Sequence, residues 1–341
     1  MMKKALSANA FKDSIGIGID VSKAELVIVG FNAAEQYIKR VANEMGLILD
    51  FMKALQGSGY SGKLICESTG HYHLKLVLAC HEVGMEIIVL NPLQSSKHTK
   101  AKVRKTKTDP QDGLTLAMMC VNEPQLPKPM VLDRPKILIR LKMGQLAALE
   151  KQLQKGQASM NQYEQTYAGL GLEQSELQIS LRTHYQSLKG LRQSMEQELE
   201  KLLRESVADP ASFRRLQAMP GYSDLVCGLV SQLDRRVKDD DSWVAYSGLD
   251  ISVRESGSWR GKGKLTKRGN AYLRKRLFQA AWGAYMNNAD VRDYYDALKA
   301  GGRRHTEALC IIARKMLRIA YHVVVNEVEF DSKIAFAQHN T

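Results

Sequence analysis

Apolar positions recur at short spacing in the first third of the chain and at helical spacing after it. Residues 14–20 (SIGIGID) and 25–31 (ELVIVGF) are β-rich runs, with VSKA between them as a tight connection. QYIKRVA is a weaker third strand. EMGLILDFMKALQ carries its apolar residues at steps of three and four, which predicts an amphipathic helix closed by Gly57. KLICEST predicts a short buried strand, HYHLKLVLACHEVG a helix ending at Gly84, and EIIVLNP another buried strand stopped by Pro92. Two strands joined by a turn, followed by strand–helix–strand crossovers, predict a mixed sheet flanked by helices.

The pattern then breaks. Asp109–Pro110 is a good helix start, an N-cap carboxylate followed by proline in the first turn. Pro124, Pro127, Pro129 and Pro135 crowd residues 121–136 and read as a linker. Two long helical patterns follow, one through Leu138, Leu141, Leu146, Leu149 and Leu153, the other through Leu177, Leu181, Leu188, Leu191, Met195, Leu199 and Leu202. They predict an antiparallel helical pair or coiled coil turning at AGLGLEQ, a spacer or oligomerisation arm. Beyond Pro210, FRRLQAMPGYSDLVCGLVSQL reads as helix, Pro220–Gly221 turn, helix. It fits a helix-hairpin-helix whose turn amides hold a phosphate, and equally an ordinary αα-turn. DSWVAYSGLDISVRESGSW reads as loop and short strands, LTKRGNAYLRKRLFQAAWGAYM as the start of a helix, and HTEALCIIARKMLRIAYHVVVN as an apolar amphipathic helix.

Charge narrows the function classes. The 341 residues include 49 Lys+Arg against 36 Asp+Glu, a formal net charge of +13, which favours a polyanionic partner such as nucleic acid. Cys66, Cys80, Cys120, Cys227 and Cys310 form no C-x-x-C pair and mostly lie in apolar runs, as reduced core cysteines of a cytosolic protein do. No run reaches the roughly 18 apolar residues of a membrane span, and the start lacks a signal-peptide core. A soluble protein of the cytoplasm is expected, with no membrane partner.

Four carboxylates carry the candidate chemistry. Asp20 sits within an apolar strand and Glu67 ends a second one. Acids on core elements are costly unless a cation compensates them. Asp109 and Asp112 fall three apart on one helix face, where they point together at a site or serve only as cap and dipole partner. A donor set of carboxylates without histidine suits Mg²⁺ or Mn²⁺. His71 and His73 form an H-x-H pair, but positions two apart on a helix do not face each other, so surface or packing roles fit better. Just before the Asp109 pair, Lys102, Arg104, Lys105 and Lys107 form a basic run. Downstream, Ser256 lies among Arg254, Arg260, Lys264, Lys267, Arg268 and Arg274, with glycines that let a backbone approach phosphate. A serine there can be inert, bind phosphate or attack it. No G-x-S-x-G elbow supports a hydrolase triad.

The stretches IGIDVSKAEL, CESTGHY, VLNPLQ, KTKTDPQDG, MPGYSD, YSGLDISVRESGS and KRGNAYLRKRLFQAA occur in the order found in the DEDD transposases of insertion sequences. The sequence resembles that family, which includes Piv-type invertases and bridge-RNA-guided recombinases. The turn Pro220–Gly221–Tyr222–Ser223 departs from the family's P-G-[IV]-G by a serine in place of the second glycine.

The resemblance implies an α/β N-terminal RuvC-like, RNase-H-type domain over residues 1–125, with Asp20, Glu67, Asp109 and Asp112 as its acidic tetrad. It implies a linker and antiparallel coiled coil over 126–208. A mainly α C-terminal transposase domain over 209–341 would carry Ser256 as nucleophile. It further implies Mg²⁺ (or Mn²⁺), donor and target DNA, a structured guide RNA, and dimers assembling into a tetramer in a bacterial cytoplasm. The competing readings are a RuvC-like nuclease in which metals activate water, and a non-enzymatic nucleic-acid-binding scaffold.

Overall fold

A computed structural model describes residues 7–33, 35–92, 109–173, 175–252, 255–256, 259–260 and 263–337; of residues 109, 255, 256, 259 and 260 it describes the backbone only. The chain forms two compact units, Met1–Arg134 and Pro135–Thr341.

The first unit is built on five strands: β1 (Gly16–Val21), β2 (Glu25–Phe31), β3 (Gln36–Ala42), β4 (Lys63–Glu67) and β5 (Ile87–Leu90), in the order β3-β2-β1-β4-β5. The hairpin-linked β1, β2 and β3 pair antiparallel, while β4 and β5 join β1 in parallel through helical crossovers. This is the mixed sheet expected from the apolar runs. Strand alternation sends Ile17, Ile19, Leu26, Ile28, Leu64 and Cys66 to one face. There they pack with Ile48, Met52 and Leu55 of α1 (Met45–Gly57) and Leu76, Val77 and Cys80 of α2 (Leu74–Glu82). The opposite face puts Ile65, Ile88 and Leu90 against Leu116, Met119 and Cys120 of α3 (Asp109–Asn122). α1 ends at Gly57, as expected. Gly59 at φ +82° takes the left-handed position that ends the turn. The proline-rich segment runs past the outer strand, where Met130 N–H donates to Ile87 O at 2.8 Å.

The second unit begins with the two long helices, α4 (Arg134–Gly169) and α5 (Glu176–Glu205). They run antiparallel, since Lys142 pairs with Glu198 at 2.7 Å and Glu164 with Arg182 at 3.4 Å. The leucines chosen from the sequence are only partly the buried face: Leu146, Leu153 and Leu199 are buried, others are not. Leu138, Leu141, Leu177, Leu181 and Leu191 are exposed, whereas Ile139, Leu146, Leu199 and Leu203 are buried. These four share one core with Phe213, Leu216, Leu229 and Leu277, so a third layer of helices selects the buried face, not the two-helix seam alone.

That layer comprises α6 (Pro210–Gln217), α7 (Asp224–Ser231), α8 (Asp240–Ser247), α9 (Ala271–Asn287), α10 (Ala289–Ala300), α11 (His305–Val325) and α12 (Ser332–Phe336). DSWVAYS, expected as loop, is the helix α8: Asp239 caps it by accepting from Ser242 N–H, and Gly248 at φ +70° ends it. The helix α10 was not expected. Asn288 ends α9 and at once caps α10, accepting from Val291 N–H at 3.0 Å. Among the described residues no helix is long and apolar enough to cross a membrane.

Candidate functional site

Sheet register brings the first two acids together. β1 and β4 pair in parallel from Gly16↔Lys63 to Ile19↔Cys66. One step further along both strands lie Asp20 and Glu67, neighbours at the carboxyl ends of adjacent parallel strands, where α/β sheets gather functional groups. Alternation also sets their face: Asp20 follows Gly16 and Gly18, and Glu67 follows Ile65, which packs toward α3. Both carboxylates are half-buried.

Glycines set how α3 lies on that face. A Cβ on Gly18 would come within 2.1 Å of Gly113 O and 2.3 Å of Ala117 N, and one on Gly16 within 2.5 Å of Cys120 Cβ. Gly113 in turn would meet Val29 Cγ2 at 2.6 Å. Moving two residues up β1 therefore moves three or four residues back along α3, as strand and helix rises of about 3.3 and 1.5 Å per residue require. Asp20 stands one such step beyond Gly18, so α3 runs antiparallel to β1 with its Asp109–Asp112 end at the Asp20–Glu67 end of the sheet. Asp112 is half-buried there. The Asp109 side chain lies outside the described residues, as do Lys102, Arg104, Lys105 and Lys107.

Among the described residues no three His, Cys, Asp or Glu side chains are grouped closely enough to hold a metal ion. The donor chemistry at this end of the sheet nonetheless fits a hard cation: the acids supply only oxygen. The thiols lie away from it: Cys80 packs in the core against α1 on the opposite face, and Cys120 lies beside Gly16 at the far end of β1. His71 is exposed and His73 fully buried, so the H-x-H spacing presents no ligand pair.

Ser256 lies in the second unit on a short two-stranded arm. β6 (Ile251–Ser252) pairs antiparallel with β9 (Lys264–Leu265), and β7 (Glu255–Ser256) with β8 (Trp259–Arg260), Ser256 opposite Trp259. Ser256 is thus the last residue of β7, paired with the first residue of β8. Its side chain and that of Arg260 lie outside the described residues, as does Arg254 altogether. The base of the arm is tightly held. Thr266 N–H donates to Asp250 O at 3.0 Å, and its hydroxyl bonds the Asp250 carboxylate. Gly248 and Gly269 cross so closely that a Cβ on Gly269 would stand 2.0 Å from Tyr246 O. Arg274, half-buried, donates from Nη1 to Ser247 O at 2.9 Å and so braces this crossing. Lys264, Lys267 and Arg268 are exposed around it.

The Pro220–Gly221 turn has the geometry of a helix-packing turn. Gly221, at φ +76°, lies against α9, where a Cβ would meet Ala280 O at 2.1 Å. Ser223 caps α7, and Asp224 in its first turn bonds Gln217 at 2.6 Å and pairs with Arg204. A carboxylate there opposes a phosphate at the same helix end.

Sequence reasoning passed over the glycines that dock α3, although the alternation Gly16-x-Gly18 within an apolar strand was a visible signal of close backbone approach.

Two family models match the chain, both of transposases: residues 17–155 match DEDD_Tnp_IS110 and residues 213–296 match the transposase IS116/IS110/IS902 family. The chain belongs to the IS110 family of DEDD transposases. A similar protein is the insertion element IS110 uncharacterized 43.6 kDa protein of Streptomyces coelicolor, 25% identical over 91 residues. That match covers 27% of this chain and spans only 22% of the relative's length. Among solved structures, T. thermophilus RuvC in complex with Holliday junction substrate is similar at a TM-score of 0.26 and 13% identity, over 33% of this chain and 98% of that one.

Proposed function

We propose that the chain is a DNA transposase or site-specific recombinase of an insertion element, with a RuvC-like acidic centre in the first unit and Ser256 as nucleophile in the second. The observation that carries this reading is the convergence of Asp20, Glu67 and the Asp112 end of α3 at one end of one sheet face. Family membership supplies the reaction class.

Asp20, Glu67, Asp109 and Asp112 are the groups that would hold Mg²⁺ or Mn²⁺. When bound, the ion supplies positive charge to the phosphoryl oxygens. The chain's own groups do the rest. Ser256 Oγ forms a bond to phosphorus and loses its proton, the bond from phosphorus to a deoxyribose oxygen breaks, and that oxygen leaves as a hydroxyl. The phosphodiester is stored as a serine ester, so rejoining a new strand needs no external energy source. A held position of Ser256 before attack would lower the entropic part of the barrier. Lys264, Lys267, Arg268 and the basic run ending at Lys107 bind backbone phosphate of donor and target DNA or of a guide RNA. The four acids of one copy act with the serine of another in a tetramer built from dimers.

Asp20→Ala and Glu67→Ala test the acidic centre. Both variants are expected to bind DNA and fail to cleave it. Unchanged recombination by either would leave only a basic scaffold. RNA that co-purifies and maps beside the gene supports guidance; its absence from an active preparation removes it.

A further inference from the structure

The pairing of β1 with β4 stops at Ile19↔Cys66, one residue short of both acids. Asp20 and Glu67 are still paired on their outer sides, with Val27 and Leu90, so their mutual spacing also depends on how the loops beyond them are held. Asn43, the residue after β3, is 4% exposed, and its side chain reaches the loops that follow both acids. Its Nδ2 donates to Ser22 O at 2.7 Å and to Tyr72 O at 3.3 Å.

Each acceptor is tied back to an acid. Ser22 lies two residues past Asp20, and reciprocal bonds with Glu25 hold it: Ser22 Oγ donates to Glu25 O at 2.9 Å and accepts from Glu25 N–H at 3.0 Å. Tyr72 closes the loop that leaves Glu67. Thr69 N–H donates to Glu67 O at 3.0 Å, and Tyr72 N–H to Thr69 O at 3.1 Å. Asn43 itself is anchored through its backbone, donating to Ala24 O at 2.8 Å and accepting from Lys75 Nζ at 2.7 Å. A continuous run of hydrogen bonds thus leads from the end of β1, through one amide group, to the carbonyl of Glu67. The Asn43 Oδ1 is buried with no hydrogen-bond partner among the described residues. An apolar side chain would pack there without that cost, so it is the donor half of the amide that the fold uses.

We infer that Asn43 is a positioning residue that fixes the separation of Asp20 and Glu67 by clamping the loops behind them. The inference rests on the reading of those two acids as a metal-holding pair. Groups that orient metal-holding side chains from behind typically change metal affinity by about 10- to 100-fold when removed.

The test compares the full-length protein with Asn43→Ala, Asn43→Asp, Leu55→Ala and Asp20→Ala. Asn43→Asp keeps the shape but cannot donate, and it stands in if the alanine variant fails to fold. Leu55→Ala loosens the core of the same unit without touching either loop. Mn²⁺ binding is followed by electron paramagnetic resonance, and amide exchange by mass spectrometry over residues 20–25 and 68–74. Both Asn43 variants should bind Mn²⁺ about tenfold more weakly and exchange faster in both loops. Leu55→Ala should melt at lower temperature with unchanged Mn²⁺ affinity. Mn²⁺ affinity within about twofold of wild type for the folded Asn43 variants, against loss in Asp20→Ala, would overturn the inference alone. An equal loss in Leu55→Ala would also overturn it, as a general effect of instability. Wild-type affinity in Asp20→Ala would remove the metal reading and this inference with it.

Discussion

Gly18→Ala puts the docking of α3 to the test. The added Cβ would stand 2.1 Å from Gly113 O, 2.3 Å from Ala117 N and 2.7 Å from Leu116 Cβ, where ordinary contact begins at 3.4 Å. Two of those atoms are backbone, so no rotamer relieves the clash, and the helix must retreat from the sheet by about 1.3 Å. Overpacking of this kind costs about 1–3 kcal/mol, several degrees of melting temperature for a domain of this size. Its effect on chemistry should be larger, because the helix carries Asp109 and Asp112, and a misplacement of about 1 Å costs about 100-fold in rate. Gly16→Ala is the control. Its Cβ meets Cys120 Cβ at 2.5 Å and Sγ at 2.8 Å, farther down the helix from the acids. It should destabilise comparably and slow the reaction less. The assay is Mg²⁺-dependent strand cleavage alongside thermal melting. A folded Gly18→Ala that cleaves within threefold of wild type, or a Gly16→Ala that loses just as much, refutes the docking argument.

Glu150→Ala removes a carboxylate 8% exposed that pairs with Lys275 and Arg276, each at 2.7 Å, and leaves Arg276 buried with Glu196 as its remaining acid. Urea unfolding should show a loss of about 3 kcal/mol, much of it restored when both Glu150 and Arg276 become methionine. Asp209 caps α6, and the bond from the Ser212 hydroxyl, then that from Arg235, hold its carboxyl well below the usual range. Its folded-state pKa is depressed, so its contribution is complete above the unfolded carboxylate pKa of about 4 and fades as pH falls below it. Asp209→Ala should cost about 1 kcal/mol at neutral pH and progressively less in acid, as read by denaturation at a series of pH values. Single alanines at the exposed Lys264, Lys267 and Arg268 should each reduce the slope of log affinity against log salt by about 1 in DNA-binding titrations; an unchanged slope removes that side chain from the phosphate contacts.

The five strands were legible because short apolar runs between glycines and turns admit few alternatives, and Asp20 stood out as a charge within one of them. The meeting of the acids was expected, but the geometry that brings them together was not legible. Register between β1 and β4 joins residues such as Gly16 and Lys63, distant in sequence, and the approach of α3 joins Gly16 and Gly18 to a helix around Gly113. The α8 stretch DSWVAYS carries too few apolar residues to show a helical period, so its cap and terminal glycine decide it. The leucines at 177, 181 and 191 kept good helical spacing yet lie exposed, because the buried face was chosen by helices from the far end of the chain. Asn43 gave no motif at all: its role comes entirely from which two carbonyls the fold brings to it.

The most direct test of the central claim is whether the protein becomes joined to DNA. Purified protein is incubated with cognate DNA and Mg²⁺, denatured, and the protein–DNA adduct mapped by mass spectrometry. The account predicts an adduct on Ser256 that is lost in Ser256→Ala and in Asp20→Ala. An adduct that survives Ser256→Ala, or hydrolysed ends with no adduct in the wild type, would contradict it.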